Sequence, residues 1–309
     1  MSSPLLNLPG AVAADFPDNH VAAHYGSIAH EQRRFESGEA FVDLSNREVI
    51  AISGADRLNW LHSLTTQHFL NLANNESTTA LILTPQGRVE HAFAGFDDGE
   101  TFWAHTEPGR GEALAKYLDS MRFTMRVEVR DANAEKAVIG LAGLKYRLVD
   151  RTELSNLVNE SMQASGIWAW EAFRIAAGQP RFGLDTDEKT IPNEINLLNT
   201  AVHMDKGCYR GQETVARVFN LGRPPRRLVL LYLDGSVDRL PEHCAAVEFA
   251  GDRVGFVGSA ARHYELGPIA LAIVKRNLPT GETLLVDGIA ANQEVIVDPE
   301  VGLHVRPQL

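Results

Sequence analysis

The last third of the chain carries the feature that most constrains its fold, a series of short apolar runs separated by turn residues. Gly251-Asp252 and Asp287-Gly288 divide some of the runs, and Leu-Pro-Thr-Gly at 278–281 makes a further break. Runs of this length between such turns are typical of a small antiparallel β-barrel. The runs span residues 228–233, 246–249, 253–259, 269–274 and 294–297.

The first two thirds of the chain mix helical and strand patterns, which predicts an α/β region. A break at Leu-Gly-Arg-Pro-Pro, residues 221–225, divides the chain into a region of residues 1–223 and a barrel domain of residues 224–309. We expect Ser53 to cap a helix that carries Asp56 near its start. The other predicted helices span 27–37, 112–121, 153–164 and 167–177; the predicted strands span 49–52, 127–129 and 137–140, with a hairpin of 81–83 and 89–96.

Composition excludes several classes of protein. The net charge is −11 over 309 residues, which opposes a non-specific grip on nucleic acid. No apolar run approaches the length of about 20 residues that a membrane span needs. Two cysteines make no disulfide framework and cannot supply the four thiolates of an iron–sulfur cluster. Zinc, haem and Walker motifs are absent, so no metal ligands are predicted. With no basic region of a signal peptide, a cytoplasmic location is expected.

Residues 206–213 read Lys-Gly-Cys-Tyr-Arg-Gly-Gln-Glu and concentrate chemistry in eight positions. Lys206 and Arg210 flank Cys208 by two residues on either side, an arrangement that favours a thiolate. Gly207 and Gly211 permit positive φ or the close approach of another molecule. Cys208 is therefore a candidate nucleophile, redox sensor or transient metal ligand, and a buried cysteine in a glycine turn is the alternative.

The neighbours of Cys208 offer further contacts. Tyr209 can stack on a planar ring or pack in the core, and Gln212 and Glu213 can bind a heterocycle or stabilise a turn. His203, five residues before the cysteine, is a possible base or a structural residue. A basic strip follows at positions 217, 223, 226 and 227, either as a solvated strand entry or as an anion contact. Cys244, in the barrel region, is predicted to be structural.

The octapeptide closely resembles the signature of the YgfZ-type folate-binding relatives of the glycine-cleavage T-protein, an aminomethyltransferase. Flanking segments resemble the family in order and spacing over residues 40–300. They are Asp-Leu-Ser at 43–45, Ile-Ala-Ile-Ser-Gly-Ala-Asp at 50–56, Trp-Leu-His-Ser-Leu at 60–64, Arg-Ile-Ala-Ala-Gly-Gln-Pro at 174–180, Thr-Ile-Pro-Asn-Glu at 190–194, Val-Ala-Arg at 215–217 and Pro-Pro-Arg-Arg at 224–227.

The resemblance implies an α+β fold of three domains around a central opening. The N-terminal α/β part is split in two, and the C-terminal part is an antiparallel β-barrel. It also implies tetrahydrofolate or a related folate in the opening. In YgfZ-type proteins a tryptophan at the position of Trp170 contacts the folate, and an indole face suits a pterin. Tyr209, Gln212 and Glu213 are candidate cofactor contacts, and Arg223 is a candidate for the glutamate tail or for the acidic surface of a partner.

Three sites depart from the family pattern. Arg47 stands where a second folate-contacting tryptophan is expected, and Ala176 where T-proteins have a pterin-binding glutamate. His91-Ala92 stands where aminomethyltransferases carry an acidic pair. An alanine cannot steer proton transfer, so glycine-cleavage activity is not expected. Asp43 is a candidate catalytic acid, and bracing of the turn at 43–45 is an equal alternative.

The function that the resemblance implies is an accessory one. We expect a folate-binding protein that supports assembly or repair of iron–sulfur clusters in client enzymes, including enzymes that modify tRNA. Its partners would be those clients or assembly proteins, with no direct contact to nucleic acid or membrane. Cys208 would do the essential chemistry, held as a thiolate by Lys206 and Arg210. The alternatives are a folate-dependent one-carbon transferase or demethylase using Asp43, Glu90 or Glu213, and a ligand-free interaction scaffold.

Overall fold

The structure, a computed structural model, describes residues 1–300, which form two large open sheets, a closed barrel and a short ribbon. None of the helices in this range has the length and apolar character needed to cross a membrane. The strands are β1 (Val12–Ala13), β2 (Ala22–His24), β3 (Ala40–Asp43), β4 (Glu48–Ser53), β5 (Ser77–Leu83), β6 (Val89–Asp97), β7 (Thr101–Thr106), β8 (Glu128–Asp131), β9 (Lys136–Leu141), β10 (Lys145–Asp150), β11 (Gln163–Ser165), β12 (Arg226–Leu233), β13 (Ala246–Phe249), β14 (Asp252–His263), β15 (Gly267–Lys275), β16 (Thr283–Val286) and β17 (Ile289–Val295). The α-helices are α1 (Ile28–Ser37), α2 (Arg57–Leu64), α3 (Gly111–Ser120), α4 (Ile167–Ala176), α5 (Leu198–Ala201) and α6 (Gln212–Leu221), and 3₁₀ turns cover Pro4–Asn7, Arg151–Leu157 and Pro192–Glu194.

The larger open sheet has the strand order β5-β6-β7-β4-β8 and is antiparallel throughout. The register pairs Leu81 with Ala92, which confirms the predicted hairpin. Helices α2 and α3 cover one face, where Trp60, Leu61 and Leu118 are buried with the sheet. The opposite face of β5 and β6 is left to line a cavity.

The second sheet has the order β10-β9-β3-β11, with β11 parallel to β3. Helices α1 and α4 contribute Phe35, Ile167 and Trp170 to its core. Trp170 is only 2% exposed, and its ring lies directly over β9. A Cβ atom added at Gly140 would come within 2.5 Å of that ring, so the glycine leaves the space that the indole fills.

The barrel closes because β12 pairs with both β15 and β17, giving the order β12-β15-β14-β13-β16-β17. Side chains alternate along β12, so Val229 and Leu231 fill the barrel interior. Leu228 and Leu230 point the other way and pack with Leu81 and other residues of the N-terminal region. Apolar packing therefore holds the barrel against the hairpin of β5 and β6.

A buried ion network joins the three parts. Arg174 on α4 donates to Asp185 at 2.8 Å, and the Ser259 hydroxyl on β14 donates to the other oxygen of that carboxylate at 2.7 Å. Arg181 donates to Glu107, which follows β7, at 2.9 Å. These charges are buried and paired, as buried ions must be. The network ties both open sheets to the barrel.

The predicted helices at 27–37, 112–121 and 167–177 are present as α1, α3 and α4, but the one at 153–164 is wrong. A 3₁₀ turn ends at Leu157, and the Asn159 side chain then accepts hydrogen bonds from the backbone of Ser161 and Met162. Asparagine competes in this way with helical hydrogen bonding. The following residues join β3 as β11.

The predicted cap of α2 is also wrong. Ser53 pairs with Thr101 and Glu128 inside the sheet, and the helix begins at Arg57. Asp56 takes the N-cap position, but its carboxylate binds Arg126 instead of the helix backbone. Helix α6 and strand β16 were not predicted. Turn residues nevertheless stand at both ends of each, with Gly211 and Gly222 around the helix and the breaks at 278–281 and 287–288 around the strand.

Candidate functional site

A cavity of about 1240 Å³ lies between the two open sheets, the end of α4 and the segment around α5. Its lining is mixed, with apolar side chains beside amides, hydroxyls and a few charges. Concave sites of this kind are the usual places for small ligands. The apolar lining residues include Leu81, Val89, Ala92, Ala94, Phe96, Leu144, Leu148, Ile195 and Leu197, and the polar ones include Arg47, Gln67, His68, Thr78, Thr79, His105, Glu107, Lys145, Tyr146, Asn196 and His203.

One wall of the cavity is built from Arg47, His105, Glu107 and Tyr146. The Arg47 guanidinium lies 5.0 Å over the Tyr146 ring, donates to His105 at 3.0 Å and forms an ion pair with Glu107. Burial, reinforced by Arg47, lowers the pKa of His105 well below its usual value, so this imidazole is neutral. Its ring lies 4.6 Å from Tyr146. The wall is therefore an aromatic surface backed by a fixed cation.

Glu107 is held ionised on this wall. Burial alone would raise its pKa, but Arg47 and Arg181 lower it to about 2. An acid with so low a pKa does not donate a proton near neutrality. Glu76, the other glutamate in the lining, is exposed at the mouth.

Trp170 lies behind the cavity wall, outside the lining. Its ring centroid is 5.0 Å from that of Tyr146, which does line the cavity. Phe35 closes the far side at 6.1 Å. The indole thus supports Tyr146 from below, and Tyr146 is the ring of this pair that lines the cavity, so a role of Trp170 in ligand binding would act through Tyr146.

Strand β6, which carries His91-Ala92, places the alanine towards the cavity. Ala92 lines the cavity, whereas His91 lies against the Tyr117 ring of α3 at 5.4 Å. Glu90 forms an ion pair with Arg210 of the octapeptide at 3.0 Å. Neither Glu90 nor His91 lines the cavity.

Asp43 is buried away from the cavity. One carboxylate oxygen accepts from the Ser45 amide at 2.9 Å, the turn-bracing geometry that the sequence left as one alternative. The other oxygen has no hydrogen-bond partner within residues 1–300. Burial raises the pKa of Asp43. The carboxyl stands in the second sheet, at the end of β3.

The octapeptide is anchored to the hairpin turn through Gly211. Gly211 has φ +81°, and an added Cβ would meet the Thr84 carbonyl oxygen at 2.5 Å and the Gly87 Cα at 2.9 Å. The positive φ expected of this residue is therefore observed, and the group that approaches it closely is the chain's own hairpin turn. Gly207 uses neither freedom, because nothing lies within 4 Å of an added Cβ and its φ is ordinary.

Lys206 is a second anchor. Its ammonium donates to the carbonyl oxygens of Thr65 at 2.6 Å and Gln67 at 3.1 Å, and to that of His62. These carbonyls lie at the C-terminal end of α2, where a cation satisfies unpaired acceptors. Burial lowers the pKa of Lys206 to about 8. The ammonium also lies 5.3 Å over the Tyr209 ring.

The two cations that flank Cys208 in the sequence are each engaged with other groups. The Lys206 ammonium binds backbone carbonyl oxygens, and Arg210 pairs with Glu90. The partners of both residues are distant in the chain, so the local sequence could not reveal these contacts. Cys208 itself is exposed. His203 does not pair with it either; its ring lies 5.0 Å from that of His68.

The other predicted contacts are spread around the octapeptide. Tyr209 is buried in the core shared with the barrel. Gln212 and Glu213 form the first turn of α6, half-buried and exposed respectively. Arg223 is paired with Glu300 at 2.6 Å. None of these four side chains lines the cavity.

The remaining basic strip is used within the protein. Arg226 forms ion pairs with Asp187 at 2.6 Å and Glu194 at 2.9 Å. Arg227 is buried, and one of its donors bonds to the Leu278 carbonyl oxygen at 3.0 Å. Arg226 and Arg227 therefore have structural contacts inside the protein, which is neither the solvated strand entry nor the anion contact that the sequence offered.

Apart from His203, the mouth of the cavity brings together residues that the sequence did not single out. His68 and His203 meet at its mouth, and His62 adds a third ring 4.7 Å from His68. Burial first, and Lys206 next, lower the pKa of His62. Lys145 also lines the mouth, exposed and without an ion pair in the described range. A single histidine or lysine in a sequence gives no signal of such a meeting, and only the fold reveals it.

Comparisons with known proteins agree with this architecture. No protein-family model matches the chain. The tRNA-modifying protein YgfZ of Serratia proteamaculans is 28% identical over 271 residues, covering 82% of this chain and 74% of that protein. A chloroplastic protein of Arabidopsis thaliana is 24% identical over 294 residues; the match covers 76% of this chain and 66%, just under two thirds, of that relative.

A solved structure matches nearly the whole chain. The glycine cleavage system aminomethyltransferase T from Bartonella henselae superimposes with a TM-score of 0.81 at 16% identity, covering 98% of each chain. The expected α+β fold with a C-terminal antiparallel barrel is thereby confirmed.

Proposed function

We propose that this chain, which belongs to the YgfZ-type group of the aminomethyltransferase superfamily, binds a folate in its central cavity and supports iron–sulfur enzymes through Cys208. The proposed clients in the cytoplasm include enzymes that modify tRNA, since the Serratia relative is named as a tRNA-modifying protein. The observation that carries the proposal is the cavity itself.

The cavity suits a folate in size and lining. Its volume of about 1240 Å³ lies above the range of roughly 300–1,000 Å³ that is usual for small-molecule pockets. The cavity therefore has room for a long ligand with a ring system and a tail. Tyr146 and His105 offer aromatic faces, and Asn196 and Thr79 offer hydrogen bonds for a heterocycle. Arg47, in place of a second tryptophan, stacks on Tyr146 and keeps the wall flat. A bound tetrahydrofolate would supply a carrier for one-carbon units.

The mouth of the cavity suits the carboxylates of a folate tail. Lys145 is an exposed cation with no partner in residues 1–300. His68 and His203 stand at the same opening. Arg223, the residue predicted for this role, is engaged with Glu300 instead. We therefore assign the tail to Lys145 and the two histidines.

The charges in the cavity favour binding over proton-transfer chemistry. Glu107 is ionised between Arg47 and Arg181, and Asp43 lies elsewhere. Ala92 contributes no acid. The carboxylic acid that aminomethyltransferases are expected to carry at the His91-Ala92 position is missing from this wall, so an accessory role is the better supported of the two. Cys208, exposed on an anchored loop, is accessible to a partner protein.

Folate binding can be tested by calorimetric titration of the pure protein with 5-formyltetrahydrofolate. We expect micromolar affinity, lost in Ala92→Trp, which fills the cavity, and kept in Ala134→Trp, an exposed matched control. Lys145→Gln should weaken the binding about threefold to tenfold, whereas Lys189→Gln, also exposed, should not. An unmodified protein that binds no reduced folate at millimolar concentration would overturn the ligand assignment.

The role of Cys208 can be tested separately in cells that lack the native gene. We expect Cys208→Ala to lower the activity of iron–sulfur enzymes that modify tRNA, at unchanged protein level. Cys244→Ala, which keeps Cys208, should restore that activity fully. Full restoration by Cys208→Ala would reject the cysteine mechanism, while leaving the folate result unaffected.

A further inference from the structure

The second cysteine of the chain stands next to a histidine at the rim of the barrel. The Cys244 sulfur lies 3.2 Å from His243 Nε2, and Cys244 is exposed. The loop is fixed by backbone hydrogen bonds from Cys244 to Val257 at 2.9 Å and from Ala245 to Glu242 at 3.1 Å. Cys244 takes φ +64°, a conformation rare outside glycine. The sequence predicted a structural cysteine, and the fold places Cys244 at the surface beside an imidazole.

The histidine is oriented by a third group. His243 Nδ1 lies 2.8 Å from the Gly258 carbonyl oxygen. A carbonyl oxygen can only accept, so Nδ1 carries the hydrogen. In the neutral imidazole the lone pair is then on Nε2 and faces the thiol. A nucleophile, a base and a group that orients the base are the parts of an activated thiol.

A concave site surrounds the pair. A pocket of about 430 Å³ is lined by His243 and Cys244 together with the carboxylates of Glu242, Glu248 and Asp287. Arg239 neutralises Asp287 through an ion pair. Glu242 and Glu248 have no ion pair within residues 1–300. The pocket thus carries net negative charge beside the sulfur, which attracts cations and repels anions.

We propose that His243 and Cys244 form a thiol modification site that reacts with small cationic disulfides. The Cys244 S–H proton passes to His243 Nε2, and the sulfur attacks one sulfur of the disulfide. A new S–S bond joins Cys244 to half of the reagent, and the old S–S bond breaks. The leaving sulfur takes the proton and departs as a thiol. Cys244 is oxidised to the mixed disulfide, and the leaving half is reduced.

The other cysteine provides an internal reference. Cys208 is exposed as well, but its sulfur has no hydrogen-bond partner in the described part of the chain. Equal exposure with different neighbours separates the effect of the histidine from that of access. This site is independent of the folate cavity and of the proposed role of Cys208.

The test uses Cys208→Ser, which leaves only Cys244, and Cys244→Ser, which leaves only Cys208. Each protein is treated with cystamine near pH 7, and mixed-disulfide formation is timed by intact-protein mass spectrometry. We expect Cys244 to react at least about tenfold faster than Cys208. Adding His243→Asn should remove about tenfold or more of that rate, since asparagine keeps a donor for Gly258 but no base. His30→Asn, at an exposed histidine of α1, should change nothing.

The preference of the pocket for cationic reagents can be measured separately. The anionic disulfide dithiodiglycolate should react with Cys244 more slowly than cystamine does at low salt, and added salt should shrink the difference. Equal rates for the two cysteines, an unchanged rate in His243→Asn, or no preference for the cationic reagent would each overturn the proposal.

Discussion

Replacing Glu107 by glutamine would remove one charge from the buried network while keeping the shape of the side chain. Glu107 is 8% exposed and lies between Arg47 and Arg181, 2.9 Å from the latter. The change leaves two buried guanidinium groups without this counter-ion. Breaking a buried ion pair on one side costs about 3–5 kcal/mol.

The pKa of Glu107 gives a second measure of the same interaction. The difference between its ordinary value of 4.5 and about 2 in the folded protein, at about 1.4 kcal/mol per pH unit, corresponds to about 3 kcal/mol. Because the folded-state pKa is the lower one, this stabilisation is full above pH 4.5 and is lost as the pH falls through about 2. Asp18 has the opposite sign: burial raises its pKa, so its contribution falls as the pH rises. Only the difference in stability between wild type and variant isolates the contribution of Glu107 from that of Asp18.

The assay is urea unfolding of the wild type and Glu107→Gln between neutral and acid pH. We expect the variant to lose about 3 kcal/mol at neutral pH, with the gap closing by about 1.4 kcal/mol for each pH unit below 4.5. Glu160→Gln, at an exposed position, should shift stability by no more than about 0.5 kcal/mol. A difference in the free energy of unfolding below about 1 kcal/mol at neutral pH, or one that does not change as the pH falls, would show that the ion pairs of Glu107 do not stabilise the fold in this way.

Two further predictions concern the anchors of the octapeptide. Gly211→Ala should lower the free energy of unfolding by about 1–3 kcal/mol, because alanine would have to take a positive φ with its Cβ 2.5 Å from the Thr84 oxygen. Gly207→Ala, with open space around it, should change the free energy of unfolding by no more than about 0.5 kcal/mol in the same urea assay. Lys206→Met should speed amide hydrogen exchange at the end of α2 and in residues 203–213, because three carbonyl oxygens lose their donor. Lys116→Met, at an exposed position of α3, should leave this exchange unchanged. Equal exchange in both variants would mean that Lys206 does not hold this loop.

The barrel could be read from the sequence because its strands are local patterns. Apolar runs between glycine and proline turns carry their own boundaries, and the hairpin of β5 and β6 has such a turn at 84–87. Strand β11 carried no such signal. Its three residues become a strand only because β3 lies beside them, and a helical pattern at 153–164 misled the prediction.

The candidate site was harder to predict because its members are far apart in sequence. Arg47 and Glu107 meet across the fold, and so do Lys206 and the carbonyls that follow α2. The octapeptide was singled out for its residue types, and within it Gly211 has the positive φ that a glycine permits. The charges beside Cys208 were misread, since sequence neighbours two apart need not be neighbours in space.

The two anchors give the octapeptide a division of labour. Lys206 and Gly211 hold its ends against α2 and the hairpin turn, and Tyr209 is buried beneath it. Cys208 lies between the anchors and remains exposed. The residues around it therefore fix the position of the loop, and in the proposed function the groups that react with the thiol come from another molecule. A self-contained catalyst would have placed a base or a cation on the sulfur, as the barrel does for Cys244 with His243. This contrast is the structural reason for assigning Cys208 to work on a partner.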